Sequence, residues 1–295
     1  MRYLVFDIGG TFTKYALMDE NAHIQKKGKV PTRQDDQEQF VGMLVDIFEK
    51  ESPVDGIAIS TAGFVDPESG IMHNAGSILC VHELPIVKEL KGRCHVPVSV
   101  ENDAKAAALA ELWKGSLSDC QSGAVLIFGT AVGGAVICNH RVVRGSHHMA
   151  GEFSYMLTNA KEAEDRSQTF AGSCGVPALI RAAEQAKGLP EGSLNGEKIF
   201  QMAGNGDEIA IKCIKDYAKK IAVQILNCYF VIAPQKIAIG GGISEQPYLI
   251  ACIREAMREL VTVYPHEVQV PEICNCTFYN DANLIGALYT HLNGA

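Results

Sequence analysis

Asp7, Gly9, Gly10, Thr11 and Lys14 fall in one short stretch, LVFDIGGTFTKYALM from Leu4 to Met18, and their types suit a phosphate-gripping turn. An apolar run ends at Asp7, a Gly-Gly-Thr turn follows, and a second apolar run begins near Lys14. That is strand, tight turn, strand. Gly9 and Gly10 have no Cβ, so the backbone there can adopt unusual dihedrals and come close to a ligand. Thr11 adds a hydroxyl, Lys14 a cation, and Asp7 a carboxylate able to hold Mg²⁺ through water. The same residues would also make an ordinary glycine-turned hairpin.

A second stretch repeats the plan. Ala124 to Asn139, AVLIFGTAVGGAVICN, runs from a strand into Gly129-Thr130, then Gly133-Gly134, then another apolar strand. A long-period echo of this kind implies two similar domains, each offering a phosphate-binding hairpin to a shared cleft. A third element, KIAIGGGIS from Lys236 to Ser244, is a short buried strand ending in Gly240, Gly241 and Gly242. That composition suits backbone lying against a flat ligand such as adenosine. The ordered set of three is more specific than any member.

With the segments STAGFVD (Ser60–Asp66), ENDAKAAALAE (Glu101–Glu111), AGEFSYM (Ala150–Met156) and IGGG (Ile239–Gly242), the chain resembles the actin-like ATPase superfamily and, within it, the ROK sugar kinases. The resemblance runs over essentially the whole chain, in the family's order. It implies an α/β fold of two actin-like (ribonuclease H-like) domains flanking an interdomain cleft, and an ATP- and Mg²⁺-dependent sugar kinase. The Gly9-Gly10-Thr11 and Gly129-Thr130 turns would hold the γ-phosphate, and adenosine would lie along Gly240–Gly242. Many family members carry a zinc site built from a histidine after AGE and a C-x-C-G-x-x-G-C run. Here the histidine position is Tyr155, and the run is Gly172-Ser173-Cys174-Gly175-Val176-Pro177-Ala178. One cysteine cannot supply a four-ligand tetrahedral site, so no zinc is expected. This pattern resembles the zinc-less β-glucoside kinase and N-acetylmannosamine kinase branch.

Glu101-Asn102-Asp103 lies at the end of a buried strand and the start of an alanine-rich helix, where open α/β sheets place ligands. On residue type alone, Asn102 or Asp103 reads as a helix N-cap. Within the resemblance, Asp103 is the catalytic base that accepts the proton of the attacking sugar hydroxyl. A helix N-terminus favours its ionised form. Sugar hydroxyls lose water on binding and need convergent partners. Candidates are Gly63 through its backbone, Asn74, Asn102, Asp103 and Glu152. By family analogy Glu152 and Asn102 meet ring hydroxyls and Asp103 faces the 6-hydroxyl, while Tyr155 either takes the lost histidine contact through its hydroxyl or reshapes the pocket. The β-glucoside acceptor ranks first, with N-acetylmannosamine and glucose next. His147 and His148 are adjacent and seldom aim alike, so a loop at the cleft mouth is expected rather than a metal site. Substrate choice is expected to rest on loops including Ile78–Pro85 and Phe170–Arg181.

The elements that must position these groups alternate between strand and helix. Strands are expected at Tyr3–Phe6, Thr13–Met18, Gly56–Ser60 and His95–Val100. Asp35–Lys50 carries Phe40, Val41, Leu44, Ile47 and Phe48 on one helical face. Further helices are expected from Ala104 to about Lys114, from about Asp207 to Ile232, around Tyr248–Val261, and from Asp281 to Leu292. The first domain is read as residues 1–115, completed by the terminal helix at 281–295, and the second as 116–280.

The 295 residues are 47% hydrophobic and 20% charged, enough for two domains with real cores. A net charge of −8 with no basic block argues against a nucleic-acid partner. The apolar start is broken by Asp7, and Ile221–Ala233 contains Gln224 and Asn227, so neither signal peptide nor membrane span is expected. Ten scattered cysteines read as reduced thiols of a cytoplasmic protein, with Cys274-x-Cys276 a weak metal candidate. A homodimer is the family's habit. Rival readings are a non-catalytic sugar-binding module, a general actin-like ATPase, and a sugar-sensing repressor. The last needs a helix-turn-helix before the DIGGT segment, for which the six preceding residues leave no room.

Overall fold

The computed structural model describes residues 1–294 and divides into two units. The first holds Met1–Gly115, Arg144–Met149 and the chain from Asn280; the second holds Ser116–Val143 and Ala150–Tyr279.

In the first unit β1 (Tyr3–Ile8), β2 (Phe12–Met18) and β3 (Ile24–Pro31) form an antiparallel meander. Helix α1 (Gln37–Glu51) starts at Asp36, whose side chain accepts from Gln39 N at 2.7 Å. β4 (Gly56–Thr61) pairs parallel with β1 and is buried at every position, as a strand covered on both faces must be. A separate three-stranded antiparallel sheet follows: β5 (Val65–Asp66), β6 (Ile71–Ala75) and β7 (Ile78–Leu84). Then come α2 (Ile86–Cys94), β8 (Val98–Asn102) and α3 (Asp103–Lys114). The main sheet has the order β3-β2-β1-β4-β8.

The second unit opens with the hairpin of β9 (Ser122–Phe128) and β10 (Val132–Cys138), extended by β11 (Arg141–Val143). Helices α4 (Phe170–Cys174), α5 (Val176–Lys187), α6 (Gly196–Gly204) and α7 (Glu208–Ile232) precede β12 (Lys236–Gly240), α8 (Pro247–Val261) and β13 (Glu272–Asn275). Its sheet order, β11-β10-β9-β12-β13, repeats the first sheet's plan of three antiparallel strands followed by two added in parallel. The echo between the two glycine-turned hairpins is therefore an echo of whole sheets. Finally α9 (Ala282–Asn293) returns to the first unit and lies against α3.

Two expectations need correcting. β8 begins at Val98 rather than His95, because His95 takes the left-handed conformation (φ 57°) that ends α2. Ile78–Pro85 and Phe170–Arg181 are not loops: the first is mostly β7, and the second is α4 and the start of α5. Short strands with polar positions, and a five-residue helix, carry little periodicity to read. Among the described residues, no helix is long and apolar enough to cross a membrane.

Candidate active site

Strand register gathers the first unit's candidates. Ile8 pairs with Thr61, and Thr61 with Asn102, so β1, β4 and β8 end level. The residues that follow, Gly9-Gly10, Ala62-Gly63 and Asp103, therefore emerge together at the carboxyl edge of the parallel strands, where such sheets bind ligands. One residue earlier, Asp7, Ser60 and Glu101 form a row of buried polar side chains across the same three strands.

Asp7 stands directly across from Lys14 in the β1–β2 ladder, and Lys14 Nζ donates to Asp7 Oδ2 at 3.4 Å. Asn283 Nδ2, from the first turn of α9, donates to Asp7 Oδ1 at 3.0 Å. The turn is closed by Gly9 N donating to Phe12 O at 3.1 Å. Neither Gly9 nor Gly10 has positive φ; what Gly10 supplies is space, since a Cβ there would collide with Ser77 Oγ. Thr11 is exposed, and its carbonyl accepts from Thr32 N at 3.1 Å.

At the Glu101-Asn102-Asp103 triplet the cap and the candidate base separate cleanly. Asn102 is the N-cap of α3: its Oδ1 accepts from Lys105 N at 3.1 Å. Its Nδ2 donates to Gly63 O at 3.0 Å, bracing the loop after β4. Asp103 is the first helical residue, half-buried, with Oδ1 accepting from Ala104 N at 2.8 Å. Asn74 is exposed, and its Oδ1 accepts from Phe64 N at 3.2 Å, which closes the same loop. Gly63 and Asn74 thus act first as scaffold for the edge on which Asp103 sits.

The second unit repeats the arrangement. Ile127 of β9 pairs with Gly240 of β12, so Gly129-Thr130 and Gly241-Gly242 leave the sheet side by side. Beside them opens a cavity of about 640 Å³, lined by Gly129, Thr130, Phe200, Gly242 and Gln246 among others. That volume is ordinary for a small-molecule pocket. The three glycines do different work. Gly240 is buried, with Ile127 and Cys276 where a Cβ would go. Gly241 has φ +88°, and a Cβ there would strike the Phe128 backbone, so only glycine makes this bend. Gly242 alone faces the cavity. Gly133 lies in β10 opposite Ile127, inside the ladder rather than in the turn.

Glu152 precedes a single 3₁₀ turn, Phe153–Tyr155, set by Gly151 at φ +81° packing against Ala135. Tyr155 is 70% exposed. His147 and His148 lie in another 3₁₀ turn, and His148 Nε2 meets Asp66 Oδ1 at 3.4 Å. Cys174 is fully buried and burial pushes its thiol up to about 11, the wrong direction for a thiolate ligand. Among the described residues, no group of three or more His, Cys, Asp or Glu could hold a metal ion by itself. Asp7 still suits Mg²⁺, which keeps several waters and is commonly held by a carboxylate together with substrate phosphates.

The sequence reading missed Asn283, Arg144 and Thr290, and the cavity residues Phe200 and Gln246. Arg144 precedes Gly145 and Gln246 follows the KIAIGGGIS stretch by two residues, but no residue type or spacing there marks a role, and Asn283, Thr290 and Phe200 lie inside helices away from any motif.

Sheet plan and paired edges define the class, an α/β protein of the actin-like ATPase fold. The ROK family model matches residues 3–293, and the chain belongs to the ROK family. It is 31% identical to a beta-glucoside kinase of Klebsiella pneumoniae over 99% of this chain and 96% of that protein. A ROK family protein from Streptococcus pneumoniae, solved in complex with sucrose, superposes with a TM-score of 0.90 at 30% identity, covering 99% of this chain and 98% of that one. A ROK family glucokinase from Streptomyces griseus, solved in complex with glucose and AMPPNP, shares the fold with a TM-score of 0.83 at 23% identity, both chains fully covered.

Proposed function

We propose that this ATP-dependent sugar phosphotransferase acts on the 6-hydroxyl of a glucose-type ring, with a cellobiose-like β-glucoside ranked first and glucose or N-acetylmannosamine next. The carrying observation is the level carboxyl edge of β1, β4 and β8, which gathers Asp7, Gly63, Asn102 and Asp103. Asp103 is assigned as the base at the acceptor hydroxyl, positioned by Asn102, which caps its helix. Glu152 and Asn102 are assigned to ring hydroxyls, with Gly63 through its backbone, Asn74 and Tyr155 as further acceptor contacts. The Gly9-Gly10-Thr11 turn with Lys14, and the Gly129-Thr130 turn, are assigned to ATP phosphates. The cavity beside Gly242 is assigned to adenosine. Mg²⁺, held through water by Asp7, would neutralise phosphate charge. A loose phosphoryl-transfer transition state asks little of the base until late, so positioning carries much of the rate.

The ranking of β-glucoside rests on the Klebsiella relative and is supported by the sucrose complex of the Streptococcus relative, since a disaccharide is the size of acceptor this requires. A zinc-free cytoplasmic homodimer completes the reading; ten free thiols suit a reducing compartment.

The test is sugar-dependent ADP release with ATP and Mg²⁺ on cellobiose, gentiobiose, glucose, N-acetylmannosamine, N-acetylglucosamine and fructose. Wild type should turn over a disaccharide fastest. Asp103→Asn should lose about 10²–10⁴-fold in kcat while still binding sugar. Sugar binding without turnover in the wild type would favour a non-catalytic binding module instead.

A further inference from the structure

Glu101 enters the sequence pattern only as the first residue of the Glu101-Asn102-Asp103 triplet, yet its buried carboxylate is held on both oxygens. Its side chain is 1% exposed. Arg144 grips it with both arms of the fork: Nη1 donates to Oε1 at 3.0 Å and Nη2 to Oε2 at 2.8 Å. Thr290 Oγ1, from α9, donates to Oε2 at 3.3 Å. The fourth contact is the backbone N–H of Asn102, which donates to Oε1 at 3.0 Å. That amide belongs to the residue that caps α3, braces Gly63 and immediately precedes Asp103.

We infer that the Glu101–Arg144 ion pair is a positioning device for Asn102 and Asp103, with Arg144 a rate-setting residue that acts through Glu101 and Asn102. The inference rests on the kinase reading. A bidentate guanidinium–carboxylate pair fixes the carboxylate plane as well as its place, which a lysine point charge does not. Fixing that plane fixes the Asn102 amide, and through it the first turn of α3 that carries Asp103. Buried ion pairs are poor stabilisers compared with apolar pairs of the same volume, so stability alone does not explain one here. Orientation does.

Arg144 also heads the segment Arg144–Met149, which belongs to the first unit although the residues on either side belong to the second. The segment has a second anchor: His148 meets Asp66 as above and lies tilted against Phe64, ring centroids 6.1 Å apart. Phe64 adjoins Gly63, the residue whose carbonyl Asn102 holds. Both ends of the segment therefore bear on the loop and cap beside Asp103.

The experiment compares wild type with Arg144→Ala, Arg144→Lys and the neutral pair Glu101→Gln/Arg144→Met, which removes charge while keeping volume. Melting temperature, sugar binding by calorimetry, kcat and KM for both substrates are read for each. The neutral pair should melt near wild type and keep its KM for ATP. Its kcat should fall by about 10²-fold, the scale of a 1 Å misplacement. Millimolar guanidinium should restore part of the lost kcat of Arg144→Ala, and Arg144→Lys should stay impaired. A neutral pair with wild-type melting and nearly wild-type kcat would overturn the inference. So would a neutral pair that fails to fold, since the ion pair would then be a folding element. A wild type with no sugar-dependent ADP release overturns the kinase reading itself, before any variant is compared.

Discussion

Asn283 Nδ2 donates to Asp7 Oδ1 across 3.0 Å, although 276 residues separate them. With Lys14 on Oδ2, this orients the Asp7 carboxylate from both sides while leaving it further acceptor capacity. The last helix therefore helps orient the carboxylate that the proposed function assigns to Mg²⁺, besides covering the sheet.

Asn283→Ala should therefore damage nucleotide use more than stability. A hydrogen bond to a charged group contributes about 1.5–3 kcal/mol, which corresponds to roughly 10–100-fold in kcat/KM for ATP. Steady-state kinetics at varied Mg²⁺ checks this. A change under about twofold would mean that the contact only trims the helix end.

Gly286 governs how closely α9 approaches α3. A Cβ there would run into the backbone carbonyl of Ala106, and its neighbours Leu284, Ile285, Ala287 and Leu288 are buried. Gly286→Ala should push the helices apart and cost about 1–3 kcal/mol, the usual range for overpacking, despite alanine's better helix propensity. Urea unfolding measures it. Because α9 carries Asn283, Gly286→Ala should also weaken ATP use.

His291 gives the first unit a pH dependence. Burial, and then the charge of Lys91, hold its imidazole below the ordinary value of 6.5. Its Nδ1 lies 3.0 Å from Ser99 Oγ, and its ring meets the Tyr3 ring edge-on at 5.3 Å. The folded state therefore keeps the ring neutral where the unfolded chain would protonate it. Stability from this group is complete above pH 6.5 and falls as the pH drops from there through the lower folded value. His291→Gln should flatten the slope of unfolding free energy against pH in that window. An unchanged slope would assign the dependence elsewhere.

The thiols should divide by burial. Cys138 is exposed, while Cys94, Cys120, Cys174, Cys228, Cys252 and Cys276 are buried. Burial pushes Cys120, Cys174 and Cys228 up to about 11, so they are protonated and slow at neutral pH. Titration with a thiol-reactive disulfide should show a fast phase that Cys138→Ser removes, with the buried thiols appearing only on unfolding. A fast phase surviving that substitution would contradict the assignment.

Local pattern made the two hairpins, the helical face of α1, the long α7 and the family visible from sequence, because glycine turns and apolar periodicity are written in neighbouring residues. The paired sheets followed from the echo between two such hairpins. The sequence alone could not separate Asn102 from Asp103 at the head of α3; tertiary structure did, by placing the Gly63 carbonyl and the Lys105 amide around the Asn102 side chain. It also divided the Gly240–Gly242 run into a core position, a bend and a cavity wall. Arg144 on Glu101 and Asn283 on Asp7 were invisible for a plain reason. A contact between residues far apart in the chain depends on strand register and helix packing, and a single sequence states neither at the residues that meet.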